Sequence, residues 1–136
     1  MPARTPDEVL SLLGQALNAG DLESMLALYE PEATFVVQPG ETVTGTEALR
    51  EAFSGFLALK PKFELEVKKI FRTGDIALSF SDWTLTGTDP NGEPISMSGQ
   101  GSDVLRQQHD GSWLFVVDNP YGRAGAVSRC AKGGKE

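Results

Sequence analysis

The stretch that most constrains this chain is the reversal His109-Asp110-Gly111-Ser112, set between two extended runs at 94–108 and 113–119. A third run, 75–87, comes before them. It is apolar-rich and closes in Thr88-Asp89-Pro90-Asn91-Gly92. Pro-Asn-Gly and Asp-Gly are turn sequences, because Asn and Gly tolerate positive φ and Pro presets the first turn dihedral. Residues 75–119 therefore read as a three-strand antiparallel meander.

A two- or four-residue loop centred on Asp110-Gly111 sets a register. It places Asp103 opposite Asp118, Leu105 opposite Val116, and Gln107 opposite Leu114. Directly opposite residues share a sheet face, with Cβ atoms about 4.5–5.5 Å apart. Two carboxylates would then meet on an otherwise apolar face. An odd-length loop would send them to opposite faces.

Composition narrows the class of protein. At 136 residues the chain suits one domain that buries a core without disulfides. We expect that domain at 1–122 and a flexible tail, rich in Gly, Lys and Arg, at 123–136. No apolar run approaches the roughly 18 residues of a membrane span, and residues 1–7 lack the apolar stretch of a signal peptide. The single cysteine, Cys130, cannot make an internal disulfide, which suits a reducing compartment; the expected location is the cytoplasm. A net charge of −7 argues against nucleic acid, whose phosphates need a basic surface. His109 is the only histidine, and no metal-ligand spacing occurs.

Thr5-Pro6-Asp7-Glu8 is a helix start with a capping box. Val9, Leu10, Leu13, Ala16 and Leu17 follow at helical spacing. Asp21 caps a second, short helix expected to carry Leu22, Met25, Leu26 and Tyr29 and to stop at Pro31. Residues 33–38 read as a strand, and Pro39-Gly40 as a turn. Gly45 or Thr46 opens a third helix, with Leu49, Ala52, Phe53, Phe56 and Leu57 on one face. Phe63, Leu65 and Val67 alternate with charged residues, as in a half-buried strand. Helices grouped early in the chain and strands grouped late give an α+β sandwich, with helices on one sheet face.

Several phrases carry a resemblance. Ala16-Leu17-Asn18-Ala19-Gly20-Asp21-Leu22, Ala27-Leu28-Tyr29 and Ala33-Thr34-Phe35 resemble the opening of ketosteroid isomerase-like proteins. Residues 44–53, TGTEALREAF, resemble the third helix of that superfamily. Trp83-Thr84-Leu85-Thr86-Gly87, Asp110-Gly111-Ser112-Trp113 and Asp118-Asn119-Pro120 look like SnoaL-like domains. Together they are identified with the nuclear transport factor 2-like superfamily over about residues 6–122. The resemblance implies a cone: a curved, largely antiparallel sheet wrapped around three helices, enclosing an apolar cavity. It also implies a homodimer through the outer sheet face. The fold hosts many functions, so chemistry must be argued from residues.

The family's sites transfer only in part. The ketosteroid isomerase base would fall near Val36-Val37-Gln38, which has no carboxylate, and its oxyanion tyrosine falls at Leu13. Its protonated aspartate matches Asp103. In limonene epoxide hydrolase-like members the last-strand aspartate matches Asp118, but the earlier Arg-x-Asp falls near Ser81 and Trp83. Asp103, Asp118 and Trp83 are thus expected to face the cavity.

Burial and a neighbouring like charge both raise a carboxyl pKa. The expected outcome is one shared proton with coupled titration, giving a general acid and a general base in one site. Trp83, Tyr29, Phe35, Leu105 and Val116 are the expected ligand contacts, and the ligand a small apolar or aromatic molecule. Isomerase, cyclase or hydratase chemistry would need no cofactor. The same acids could serve structure alone, accepting backbone N–H groups, in a non-catalytic ligand carrier or dimeric interaction module. The register puts Trp113, Phe115 and Arg106 on the opposite, outer face, Arg106 against a ring and the two aromatics in a dimer interface. His109 is expected to be exposed, and Asp82 to point outward.

Overall fold

A computed structural model describes residues 2–123. The tail expected beyond 122, with Cys130, lies outside the described residues apart from Arg123. The elements run α1 (Pro6–Ala19), α2 (Leu22–Leu26), β1 (Tyr29–Gln38), β2 (Glu41–Thr44), α3 (Thr46–Leu57), β3 (Lys62–Thr73), β4 (Ile76–Thr88), β5 (Pro94–Gln107) and β6 (Trp113–Asn119). The strands form one sheet in the order β2-β1-β6-β5-β4-β3. Every neighbouring pair is antiparallel except β1 with β6, which is parallel. The sheet is therefore mixed. It is curved and unclosed, and the three helices cover its inner face, as the α+β reading and the resemblance both imply.

Local chemistry explains the helix ends. The Thr5 hydroxyl accepts the Glu8 N–H at 3.4 Å, and Pro6 starts α1. Glu8 reaches back to the Arg4 N–H at 2.6 Å, one residue earlier than a capping box would use. Gly20 ends the helix at φ 70°, the left-handed cap that glycine adopts without a Cβ penalty. The face carrying Val9, Leu10, Leu13, Ala16 and Leu17 is buried. Full burial of each leucine there contributes about 1.5–3 kcal/mol.

Two elements differ from the sequence reading. The second helix ends at Leu26, and Tyr29 opens strand β1, which continues through Pro31. Proline has no N–H to give a ladder, and the β1–β6 register slips between Tyr29 and Thr34, where Pro31 sits. Strand β2 was not foreseen. It is four residues long, too short for a periodic signal, and pairs Val43 with Phe35 and Thr44 with Thr34.

The third difference is the register of β5 with β6. The loop 108–112 is odd in length: Gln107 pairs with Trp113, and Gln108 N–H donates to Ser112 O at 2.7 Å. Gly111 takes φ 88° within it. Leu105 therefore faces Phe115, not Val116, and Gln107 faces Trp113, not Leu114. A β-bulge then absorbs Val116 as an extra residue, and Val104 pairs with Val117 and Asp103 with Asp118. A bulge sets two residues of one strand against one of its neighbour. Two parity changes cancel, so the aspartates do face each other.

The odd loop also reverses the placement of the aromatics. Trp113 and Phe115 are fully buried in the core beside Leu105; they do not form an outer aromatic face. The cation over the Trp113 ring is Arg72, 4.8 Å from its centroid. Arg106 instead pairs with Glu30 at 2.9 Å. The large apolar side chains exposed among the described residues are Phe71, Leu78 and Phe80. His109 is exposed, and Asp82 points away from the core toward Lys68.

Candidate functional site

Helices α1, α2 and α3 do not fill the inner concavity of the sheet. A hollow of about 70 Å³ remains. Its walls are Leu10, Leu13 and Leu17 from α1, Met25 from α2, Phe53 and Phe56 from α3, and side chains of five strands. Strand alternation brings Ser81, Trp83 and Leu85 inward on β4, and Gly101 and Asp103 on β5.

The polar end is built by β1, β5 and β6. Asp118 sits on the wall and accepts the Tyr29 hydroxyl at Oδ2. Asp103 and Asp118 face each other across the β5–β6 ladder, and each carboxyl feels the other. Asp103 also accepts the Asn119 N–H at 2.9 Å and lies 3.5 Å from the Ser79 hydroxyl. Both acids are almost wholly buried.

Burial pushes the Asp103 carboxyl well above its usual range, and the adjacent Asp118 charge pushes it further. Burial also raises Asp118, but the donated protons of Tyr29 and Asp103 oppose that rise. The two carboxyls therefore titrate as a pair and share one proton. Burial, and then the Asp118 charge, hold the Tyr29 hydroxyl well above its ordinary value, so it stays a donor.

Trp83 stands against β5 with only backbone between. A Cβ on Gly99 would lie 2.9 Å from the indole and 2.8 Å from the Pro120 carbonyl oxygen. The absent side chain lets the Trp83 indole N–H reach that oxygen at 2.6 Å. Tyr121 closes the same edge and donates its hydroxyl to Val37 O at 3.1 Å.

Of the residues singled out in the sequence, Asp103, Asp118, Trp83, Tyr29 and Phe35 all line the hollow. Leu105 is buried beneath it, and Val116 occupies the half-buried bulge; neither is on the wall. The bulge leaves Val116 unpaired, whereas Leu105 keeps the inward face of Asp103 and packs in the core beside Trp113 and Phe115. Leu13 lines the hollow where ketosteroid isomerases would supply a tyrosine. The sequence reading missed Tyr121, Ser81 and Met97. Tyr121 follows Pro120, where the alternating pattern has ended. Ser81 carries no signal beyond its parity with Trp83.

The SnoaL-like domain family model matches residues 11–116, and the chain belongs to that family. No curated protein matches it. Its fold is shared by a nuclear transport factor 2-like superfamily protein from Salmonella enterica, with TM-score 0.75 and 20% identity over 93% of this chain and 92% of that one. A ketosteroid isomerase-like protein from Erwinia carotovora atroseptica superposes with TM-score 0.73 and 20% identity, covering 82% and 88%. An NTF-2 like protein of unknown function from Shewanella oneidensis superposes with TM-score 0.69 and 16% identity, covering 82% and 92%. These likenesses establish the nuclear transport factor 2-like fold. Among the described residues no helix is long and apolar enough to cross a membrane.

Proposed function

We propose that this domain holds a small molecule in the hollow and exchanges a proton with it through Asp103 and Asp118. The observation that carries the reading is the buried pair itself: two aspartates facing each other on the wall of an apolar hollow, where burial and mutual charge favour one shared proton. Asp118 would take a proton from a ligand carbon or from water. Asp103 would return one to a second position, and Tyr29 would hold the Asp118 oxygen in place. Isomerisation, cyclisation and hydration all fit that sequence of transfers.

Size limits the ligand. A dry apolar cavity of about 150 Å³ takes one benzene, and sites for larger molecules run to about 300–1,000 Å³. A hollow of about 70 Å³ suits a ligand of a few heavy atoms, not a steroid.

The test is deuterium exchange at the α-carbon of small ketones and aminoketones in D2O, followed by NMR. General acid–base catalysis contributes about 10²–10⁴-fold, so Asp118→Asn should slow exchange by at least about 10²-fold. Exchange that survives in Asp118→Asn and in Asp103→Asn would leave a binding domain without this chemistry.

A further inference from the structure

We propose that the ligand of this hollow is a small organic cation, a protonated alkylamine bearing at least one N–H, seated against Asp118. This rests on the reading that the hollow binds a ligand, and it names the ligand's class.

The argument is a census of donors and acceptors. Nearly every donor on the wall is already committed to a protein acceptor. The Tyr29 hydroxyl goes to Asp118, and the one proton of the facing carboxyls is shared within the pair. The Trp83 N–H goes to Pro120 O, and the Tyr121 hydroxyl goes to Val37 O. Ser81 is the exception: its hydroxyl makes no hydrogen bond among the described residues. A carboxylate pair, in contrast, has more lone pairs than these donors occupy. The polar end therefore offers acceptors, and its complement is a donor.

Charge points the same way. No Lys, Arg or His lines the hollow among the described residues. With one shared proton the pair carries a net negative charge, and an uncompensated buried charge costs several kcal/mol. An incoming carboxylate or phosphate would add to that penalty, whereas an ammonium would remove it. Seven lining side chains are aromatic, and the negative face of an aromatic ring attracts a desolvated cation. The chain's net charge of −7 also draws cations toward it.

Binding is then coupled to protonation. A cation at Asp118 lowers the pair's affinity for protons without having to expel the shared one. Affinity therefore rises with pH across the titration of the pair. The other titratable groups facing the pair are Tyr29 on β1 and Tyr121 after β6. Strand β4 presents Ser79 and Ser81, and all three helices present apolar side chains only.

Three probes of similar size separate the possibilities: tert-butylammonium, tert-butanol and isobutyrate. The readout is the indole N–H resonance of Trp83, on the wall, with the fully buried Trp113 indole as internal reference. We expect tert-butylammonium to shift Trp83 saturably and to bind at least about tenfold tighter than tert-butanol, a difference of about 1.4 kcal/mol. Its affinity should rise with pH, and isobutyrate should leave Trp83 unmoved. In Asp118→Asn the preference for the cation should vanish. Equal or tighter binding of tert-butanol or isobutyrate by the unaltered protein would overturn the cation assignment and leave the proton-exchange reading standing. If all three leave Trp83 unmoved while small ketones still exchange deuterium, the cation assignment alone fails. If exchange is absent as well, both readings fail.

Discussion

The two halves of strand β6 face the same interior and do opposite things there. Trp113 and Phe115, on one side of the bulge at Val116, are fully buried among apolar neighbours. Asp118, on the other side, is equally hidden yet bonded only through polar atoms. An unbroken strand would turn one half inward and the other outward. One extra residue lets both face the helices, so the strand anchors the fold at its start and serves the hollow at its end.

The largest expected effect comes from matching that extra residue with one on the neighbouring strand. Inserting one residue in β5 between Val104 and Leu105 makes the β5–β6 ladder continuous and forces either Trp113 with Phe115, or Asp118, to the outer face. We expect a stability loss beyond about 4 kcal/mol, in the range reserved for gross core disruption. A urea transition at the parent's midpoint would show that the bulge is dispensable.

Next comes a contrast between the halves. Phe115→Ala should cost about 3–5 kcal/mol. Asp118→Asn should change stability by no more than about 1 kcal/mol in either direction: it keeps shape and an acceptor for Tyr29 and discharges a buried carboxylate. Equal losses in the two variants, measured by urea unfolding, would mean that the acid end is as structural as the apolar end.

The smallest effect is a pH dependence confined to the acid half. Asp103 titrates higher in the folded chain than in the unfolded one. Its contribution to stability is therefore complete below the unfolded aspartate value of about 3.9 and is lost as pH rises through its raised folded value. Denaturation midpoints for the parent should fall over that window, and the fall should flatten in Asp103→Asn. Phe115→Ala should keep the parent's slope while lowering every midpoint.

How far the sequence reached follows from the same strand. The order of helices and long strands was legible, because apolar spacing and the turns at Asn91-Gly92 and Asp110-Gly111 are local signals. The meeting of Asp103 and Asp118 was legible only because an odd loop and a bulge cancel. Neither leaves a mark in apolar periodicity, so the inward placement of Trp113 and Phe115 was missed. Strand β2 was too short to register, and Tyr29 looked helical until its partner Phe115 was known. The hydrogen bond from Tyr29 to Asp118 spans 89 positions, beyond the reach of any local pattern.

Between Met97 and Asp103, strand β5 passes Trp83 and Ser81 as bare backbone at Gly99 and Gly101. A methyl on Gly99 would collide with the Trp83 indole, and one on Gly101 would crowd Asn119 O and Ser81 Oγ at 3.4 Å. At this point the sheet side of the chamber is as thin as a polypeptide allows. Any descendant that accommodates a bulkier guest must gain its room elsewhere, by trimming Leu13, Leu17, Phe53 or Phe56 on the helices, or Phe63, Leu85 or Met97 on the strands. Those positions are where variation would retune capacity while the acid pair stays unchanged.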